Sequence, residues 1–468
     1  MPIASRRVAA DDRRAPTLVR GLGPFDGAAI VVSNVIGSGI FIVPALIAQS
    51  VPDVWGMLGV WLVGGFLAFA GAMAYAELAA LRPRAGGEYV YLREAFGPTA
   101  GFLTGWTSFV AGFSGAIAAG AVGLASYLGR FVLAASDTSP IVQLPLAVVT
   151  LTVSPQALFA LAAIAVLTLV HVLGLGPGRI VQNLLAGAKV AVLVAFVTFG
   201  FTLGQGSFAH FTAPGGPVVS TLWVLALIPV MFSFSGWNAA TYLAEEMRDP
   251  GRNVPIALGV GTATVIVVYL LLNLLYVYAL PVDQLGMVEV RVVDAAADRL
   301  FGPAIAAPLA AASIVMIAAS ISAMVLAGPR VYYAMALDGQ FFRTAATVHP
   351  RFRSPIAAIL AQSAWSSILV LAGTFEQLLA YTGFAVVLFS GVAVVALFVL
   401  RYRHPLEQRP FKAWGYPLAP LVFGVASLLI VLNAIRESPG TSLAGLLIIA
   451  AGVPVYFLFR WRSTTKVD

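Results

Sequence analysis

Asn34-Val35-Ile36-Gly37-Ser38-Gly39-Ile40-Phe41 lies at the centre of an apolar run covering residues 24–48. Each glycine weakens a helix by about 1 kcal/mol relative to alanine, so the run reads as a helix interrupted at its middle. A second apolar run, 219–246, carries a comparable interruption, Phe232-Ser233-Phe234-Ser235-Gly236-Trp237-Asn238. Small residues also let helices cross closely in membranes, but two interruptions in one chain call for a common explanation.

The surroundings of these runs set the solvent. The chain has 468 residues, 60% hydrophobic and only 10% charged, where a soluble domain carries roughly 25% charged residues. Ile256 to Leu280 is 25 residues without a charge, and Pro155 to Leu173 has only Gln156, Thr168 and His171 as polar members. About 20 apolar residues cross the hydrocarbon core as a helix. Lipid admits only helices or closed barrels, and the apolar/polar alternation of barrel strands is missing. The fold class is therefore all-α and polytopic, with about twelve spans at 24–48, 56–81, 99–128, 155–174, 179–204, 219–246, 254–280, 302–334, 355–373, 377–400, 415–434 and 442–460.

Interruptions in the first and sixth spans imply a 5+5 inverted repeat with discontinuous helices, because an odd number of spans per unit inverts the second copy. The single transporter domain then divides into a tail at 1–23, one repeat at 24–204, another at 219–400 and two added helices at 415–460. With the N-terminus inside, inner segments hold 22 Lys and Arg and outer loops only Arg130, Arg291, Arg299 and Arg436. Both termini are expected in the cytoplasm. No cleavable signal peptide is expected, and the alanine-, glycine- and arginine-rich composition leans toward a bacterial inner membrane.

Several chemistries are excluded. The formal charge of +7 is dispersed at the ends of apolar runs, so no nucleic-acid face is expected. There is no cysteine, hence no disulfide and no thiolate. His171, His210, His349 and His404 stand apart without metal-ligand spacing, and Gly174-Leu175-Gly176-Pro177-Gly178 follows no strand and is no phosphate loop. No nucleophile–base constellation appears, so neither an enzyme nor a bound cofactor is expected.

The motifs resemble those of the amino acid–polyamine–organocation superfamily, most closely its L-type amino acid transporters. The resemblance rests on Gly37-Ser38-Gly39-Ile40-Phe41, on Pro83-Arg84-Ala85-Gly86-Gly87-Glu88-Tyr89, on 232–238 continuing to Glu245-Glu246-Met247-Arg248-Asp249-Pro250 and Asn253-Val254-Pro255, and on Asp338-Gly339-Gln340-Phe341-Phe342 with His349-Pro350-Arg351-Phe352. It spans roughly residues 20–400. Ser235 stands where the L-type pattern has glycine, which alters pocket volume. Animal L-type carriers bind a glycoprotein through a cysteine; this chain, lacking one, is expected to work without that heavy chain, as a monomer or weak homodimer.

A zwitterionic amino acid needs a partner for each charge in a low-dielectric cavity. The half-helix beginning near Ser38–Ile40 offers amides and a positive dipole end to the carboxylate. The half-helices ending near Val35–Ile36 and Phe232–Ser235 offer carbonyls to the ammonium. The expected substrate-binding residues are Val35, Ile36, Gly37, Ser38, Gly39, Ile40, Phe232, Ser233, Ser235 and Trp237, and the resemblance makes Phe232 an aromatic gate. Lys189, the only lysine within a span, falls near mid-bilayer, where a charge costs about 2.5–3.5 kcal/mol on insertion scales. By resemblance its ammonium replaces a sodium ion between helices 1 and 8, contacting carbonyls near Gly37 and the hydroxyls of Ser320 or Ser322. No carboxylate is expected at mid-membrane, so neutral amino acids are favoured, and cationic amino acids or polyamines are the alternative. A membrane enzyme or a non-transporting receptor is disfavoured by the missing catalytic groups and soluble domain.

Overall fold

The computed structural model describes residues 17–37, 39–146, 150–289, 291–373 and 375–464, and Ser38 of the expected site lies outside them. The first span is two helices, α1 (Pro24–Val35) and α2 (Gly39–Ser50), bent by 52° at the break. Next come α3 (Val54–Leu81), the short α4 (Glu88–Phe96), and a third span made of α5 (Pro98–Thr107), a π-turn at Ser108–Gly112 and α6 (Phe113–Leu128). A hairpin of β1 (Val142–Pro145) and β2 (Thr150–Val153) precedes α7 (Pro155–Val172) and α8 (Leu175–Leu203). The sixth span pairs α9 (Ser220–Ser233) with a 3₁₀ turn, Ala239–Glu246.

The second half begins with α10 (Pro250–Ala279), followed by the short helices α11 (Val282–Gly286) and α12 (Val292–Phe301). The eighth span combines α13 (Ala306–Ala327) with α14 (Pro329–Leu337), and α15 (Ile356–Ala372), α16 (Phe375–Arg403), α17 (Leu418–Glu437) and α18 (Pro439–Thr464) complete the chain. Among the described residues nine helices are long and apolar enough to cross a membrane. The bent first pair, counted as one span, makes ten, and the shorter apolar helices α9 and α15 fall within the two remaining expected runs.

The helices sort into two packed groups. α1, α2, α3, α9 and α10 pack on one another, and α6, α7, α13 and α15 form the second group. Two apolar clusters fill them, a large one around Trp61, Tyr75 and Tyr269 that also takes in Met316 and Leu326 of α13, and a smaller one around Ile117, Ile164 and Ile321. The outermost helices α8, α17 and α18 leave Leu184, Leu203, Leu428, Leu432 and Leu447 exposed, which is the surface a hydrocarbon solvent requires.

α4, α11, α12 and the β-hairpin were outside the expected list, because a hydropathy count registers only long apolar runs. α4 matters most. Gly87 precedes it at φ +50°, and a Cβ there would lie 2.7 Å from the Tyr242 ring and 2.9 Å from Thr241 Oγ1. Only glycine allows this turn to press against the sixth span. The chain is thereby folded back so that Glu88, in the first turn of α4, is buried rather than left in the loop.

Candidate substrate-binding site

A cavity of 180 Å³ lies between the two helix groups. One wall comes from the interrupted spans, with Val35, Gly37, Gly39, Phe232, Ser233, Ser235 and Gly236. The opposite wall comes from the π-turn and α13, with Thr107, Ser108, Phe113 and Met324. π-Turns interrupt regular hydrogen bonding and recur at functional sites; nothing in the hydropathy of this span signals one.

The breaks are held in register by polar contacts. Asn34 Nδ2 donates to the Gly236 carbonyl at 3.2 Å, tying the first break to the sixth. The Tyr269 hydroxyl of α10 is 3.0 Å from the Val35 carbonyl and 3.1 Å from the Ser233 carbonyl, bridging both half-helix ends. These carbonyls belong to the last turns of α1 and α9, where no intrahelical partner exists. Each keeps a second lone pair. Facing them, α2 begins at Gly39, so its first amides and positive dipole end point back toward the break.

Gly39 marks the closest approach of the two interrupted spans. A Cβ on it would sit 2.8 Å from Ser233 Oγ and 2.9 Å from Ser233 Cα. Gly39→Ala must therefore separate the half-helices, with an expected cost of about 1–3 kcal/mol from overpacking. A Cβ on Gly37 meets only the Val35 carbonyl oxygen at 3.9 Å, so Gly37→Ala places its methyl in open space. A lowered melting temperature with lost uptake is expected for Gly39→Ala, against near-normal stability for Gly37→Ala. Equal melting temperatures for the two variants would contradict this geometry.

Not every expected residue reaches the wall. Ile40 is fully buried in the core. Ile36 faces a second cavity of 150 Å³, which shares Asn34, Gly37, Ala116 and Met324 with the first and extends to Tyr127 and Arg291. Trp237 turns away: its indole packs edge-on against Tyr75 at 4.7 Å and Phe423 at 5.4 Å. Its neighbour Asn238 takes the place in the cavity expected of it.

Lys189 is fully buried. Its Nζ donates to the carbonyls of Ser33 (2.9 Å) and Ile36 (2.7 Å) and to Ser320 Oγ (2.8 Å). The amine thus joins α8 to the end of α1 and to α13. Ser322 is not part of this cluster; its Oγ lies 2.9 Å from His171 Nε2. Successive helical residues are 100° apart, so Ser320 and Ser322 cannot both face Lys189.

A carboxylate outside the expected site residues lines the cavity: Glu88 is buried there, and Tyr75, Asn238 and Ser390 all donate to its Oε1. Sequence reasoning missed the polar lining residues Asn34, Glu88, Asn238 and Tyr242, and with them the whole wall around Thr107, Ser108, Phe113 and Met324. The Gly86-Gly87 pair was the available signal that Glu88 folds back into the bundle.

Ion pairs join the spans near the N-terminal segment, where the Gly21 and Leu22 amides donate to the Glu246 carbonyl. Arg330 Nε meets Glu246 Oε1 at 2.7 Å with both side chains buried. Arg93 reaches Asp338 at 2.9 Å, and Tyr89 donates to the same carboxylate. Leu22 adds a β-bridge to Met247 beneath them. At the opposite end the Arg291 guanidinium stands 4.2 Å over the Tyr127 ring. Among the described residues no cluster of three or more histidines or acids could hold a metal ion.

Two interrupted helices that face one cavity between two packed helix groups are the arrangement of a polytopic solute carrier. The chain belongs to the amino acid permease family, whose profile matches residues 22–459, and it is an amino acid transporter. It is 30% identical to the b(0,+)-type amino acid transporter 1 of Mus musculus over 453 residues, 95% of this chain and 89% of that protein. The Asc-type amino acid transporter 1 of Mus musculus is 30% identical over 99% of this chain and 84% of its own length. The serine/threonine exchanger SteT of Bacillus subtilis is 27% identical over 96% of this chain and 98% of its own.

Proposed function

We propose that the chain is a secondary carrier of amino acids with neutral side chains, working by alternating access. The reading rests on one observation: an N-terminal helix end at Gly39 and C-terminal ends at Val35 and Ser233 line the same cavity. Opposite dipole ends at this spacing suit a carboxylate and an ammonium without ionised side chains. Phe113, Met324 and Phe389 give the remainder of the wall an apolar character fit for the side chain.

Movement of the group containing α1, α3, α9 and α10 against the group containing α6, α7, α13 and α15 would open the cavity to either side. Lys189 would act as a fixed cation bridging the two, and transport would be exchange or proton-coupled. Both termini would lie in the cytoplasm of a bacterial inner membrane, with no disulfide-linked partner.

The test is counterflow in liposomes. Purified protein, reconstituted with unlabelled leucine inside, should accumulate labelled leucine transiently; folded protein that accumulates none of the common amino acids would refute the reading. Phe232, on the cavity wall at the sixth break, is assigned to cover the bound substrate. Phe232→Ala should cut uptake by about tenfold, equivalent to roughly 1.4 kcal/mol, at an unchanged folded amount in the membrane. Uptake equal to that of the parent would remove the gate.

A further inference from the structure

A groove of 660 Å³ opens on the lipid-facing surface, where α3 and α10 meet the segment between α16 and α17, and it shares no residue with the central cavity. One wall is the face of α10 that carries Ile256, Val260 and Ala263, all exposed, and the exposed Val267 continues that face. These positions follow Arg252 at steps of four, four, three and four. A single helix face therefore runs from a cation in the first turn to apolar residues deep in the span. The other wall is Phe69 of α3 with Trp414, whose ring centroids lie 6.0 Å apart. Pro410 closes the end near Arg252, and a Cβ on Gly251 would lie only 3.1 Å from the Pro410 Cβ. The segment carrying Pro410 and Trp414 is fixed in place, because the Glu77 carboxylate takes Arg401, Arg409 and the Ala413 amide. Arg252 and Lys412 are exposed at this end, and neither has an acid within ion-pair distance among the described residues. Asp249 is the acid on the rim, and the two cations outweigh it.

α10 is long and apolar enough to span the membrane, so its first turn lies at the depth of lipid headgroups. From Arg252 to Val267 its face runs about 22 Å at 1.5 Å per residue, through more than half of the ~30 Å hydrocarbon core. An occupant must then be amphipathic, with an anion at headgroup depth and a long hydrocarbon tail below it. Exposed tryptophan is typical of that depth, and basic pockets at the ends of spanning helices hold anionic headgroups. We propose that the groove binds an anionic phospholipid. Its phosphate sits between Arg252 and Lys412, whose guanidinium and ammonium suit phosphate oxygens, and one acyl chain lies along α10 beside Trp414. α10 packs on α1 and α3, and its Tyr269 holds both half-helix ends. The lipid thus braces the helix group that carries the breaks.

The experiment uses the full chain, purified in detergent and stripped of native lipid. It is titrated with dioleoylphosphatidylglycerol, with dioleoylphosphatidylcholine of the same chains, and with glycerophosphate, which has the phosphate and no chains. Bound lipid is counted by native mass spectrometry, and stability is read as melting temperature. Wild-type protein should retain phosphatidylglycerol in preference to phosphatidylcholine and melt higher with it, and glycerophosphate should give no shift. In Arg252→Gln/Lys412→Gln the preference should fall by about tenfold or more, the order expected of two cations at a lipid surface. Val260→Trp, which fills the groove and keeps both cations, should weaken both lipids alike. All three positions are exposed, where substitutions cost little stability; should a variant still fail to fold, the wild-type comparison decides. Equal binding of the two lipids by wild-type protein would overturn the proposal, as would a preference unchanged in the double variant or lipid binding unaffected by Val260→Trp. Stabilisation by glycerophosphate equal to that by phosphatidylglycerol would also overturn it, since the ligand would then be a soluble phosphate.

Discussion

Replacing Lys189 with methionine is expected to abolish most transport while leaving the protein folded. The aliphatic stem is preserved, so the helix packing around α8 changes little, and only the ammonium is lost. That ammonium supplies the donor for Ser33 O, Ile36 O and one contact of Ser320 Oγ. Ser320 Oγ reaches the Ser33 carbonyl at 2.9 Å and the Ile36 carbonyl at 3.3 Å, but its single proton serves one of them at a time, so the more distant Ile36 carbonyl, at the very edge of the break, suffers most. A buried carbonyl left without a donor costs about 1–3 kcal/mol. The unwound segment can recover this cost by moving, which displaces the helix end assigned to the substrate. Uptake in proteoliposomes should fall by about tenfold or more, tenfold being equivalent to roughly 1.4 kcal/mol in the lower part of that range. Size-exclusion profiles should match the parent. Transport at the parent rate with the parent's pH profile would show that neither bridging nor coupling depends on this amine.

The sequence made Lys189 visible because a solitary lysine between apolar neighbours cannot be reconciled with lipid. The spans were legible for a related reason: hydrocarbon thickness sets the length of every run. The break at Gly37–Gly39 was legible because glycine has a known helical cost. What sequence could not resolve was direction around a helix axis or along an irregular turn. Ser320 and Ser322 were equally acceptable as partners of Lys189, yet helical geometry turns only the first toward it and gives the second to His171. Trp237 and Asn238 are adjacent in a non-helical stretch, and tertiary packing alone decides that the indole goes to Tyr75 and Phe423 while the amide faces the cavity. Glu88 falls between the apolar runs 56–81 and 99–128, and hydropathy takes no account of a chain that leaves an apolar run and folds back. Acids that appear peripheral in such a count can therefore stand at the centre of the site.

The second large effect is expected at the inner closure. Arg330 and Glu246 are 1% and 0% exposed and joined by two contacts, at 2.7 and 3.2 Å. Removing one member of a buried pair strands the other, at a cost of about 3–5 kcal/mol, whereas neutralising both is often tolerated. Arg330→Met should therefore lower the melting temperature steeply, and the double variant Glu246→Gln/Arg330→Met should recover most of the loss. The same pair joins the end of the sixth span to the eighth, and so links the two helix groups at the end of the cavity that the proposed orientation places on the cytoplasmic side. Without its attraction the double variant should favour an inward-open cavity. Because the chain has no cysteine, a single Ser235→Cys on the cavity wall gives an unambiguous reporter. Its labelling by a membrane-impermeant maleimide applied from the inner face should accelerate in the double variant and remain slow with the pair intact. Equal labelling rates would mean that Tyr89, Arg93 and Asp338 close the cavity by themselves, and that the buried pair contributes stability but does not gate.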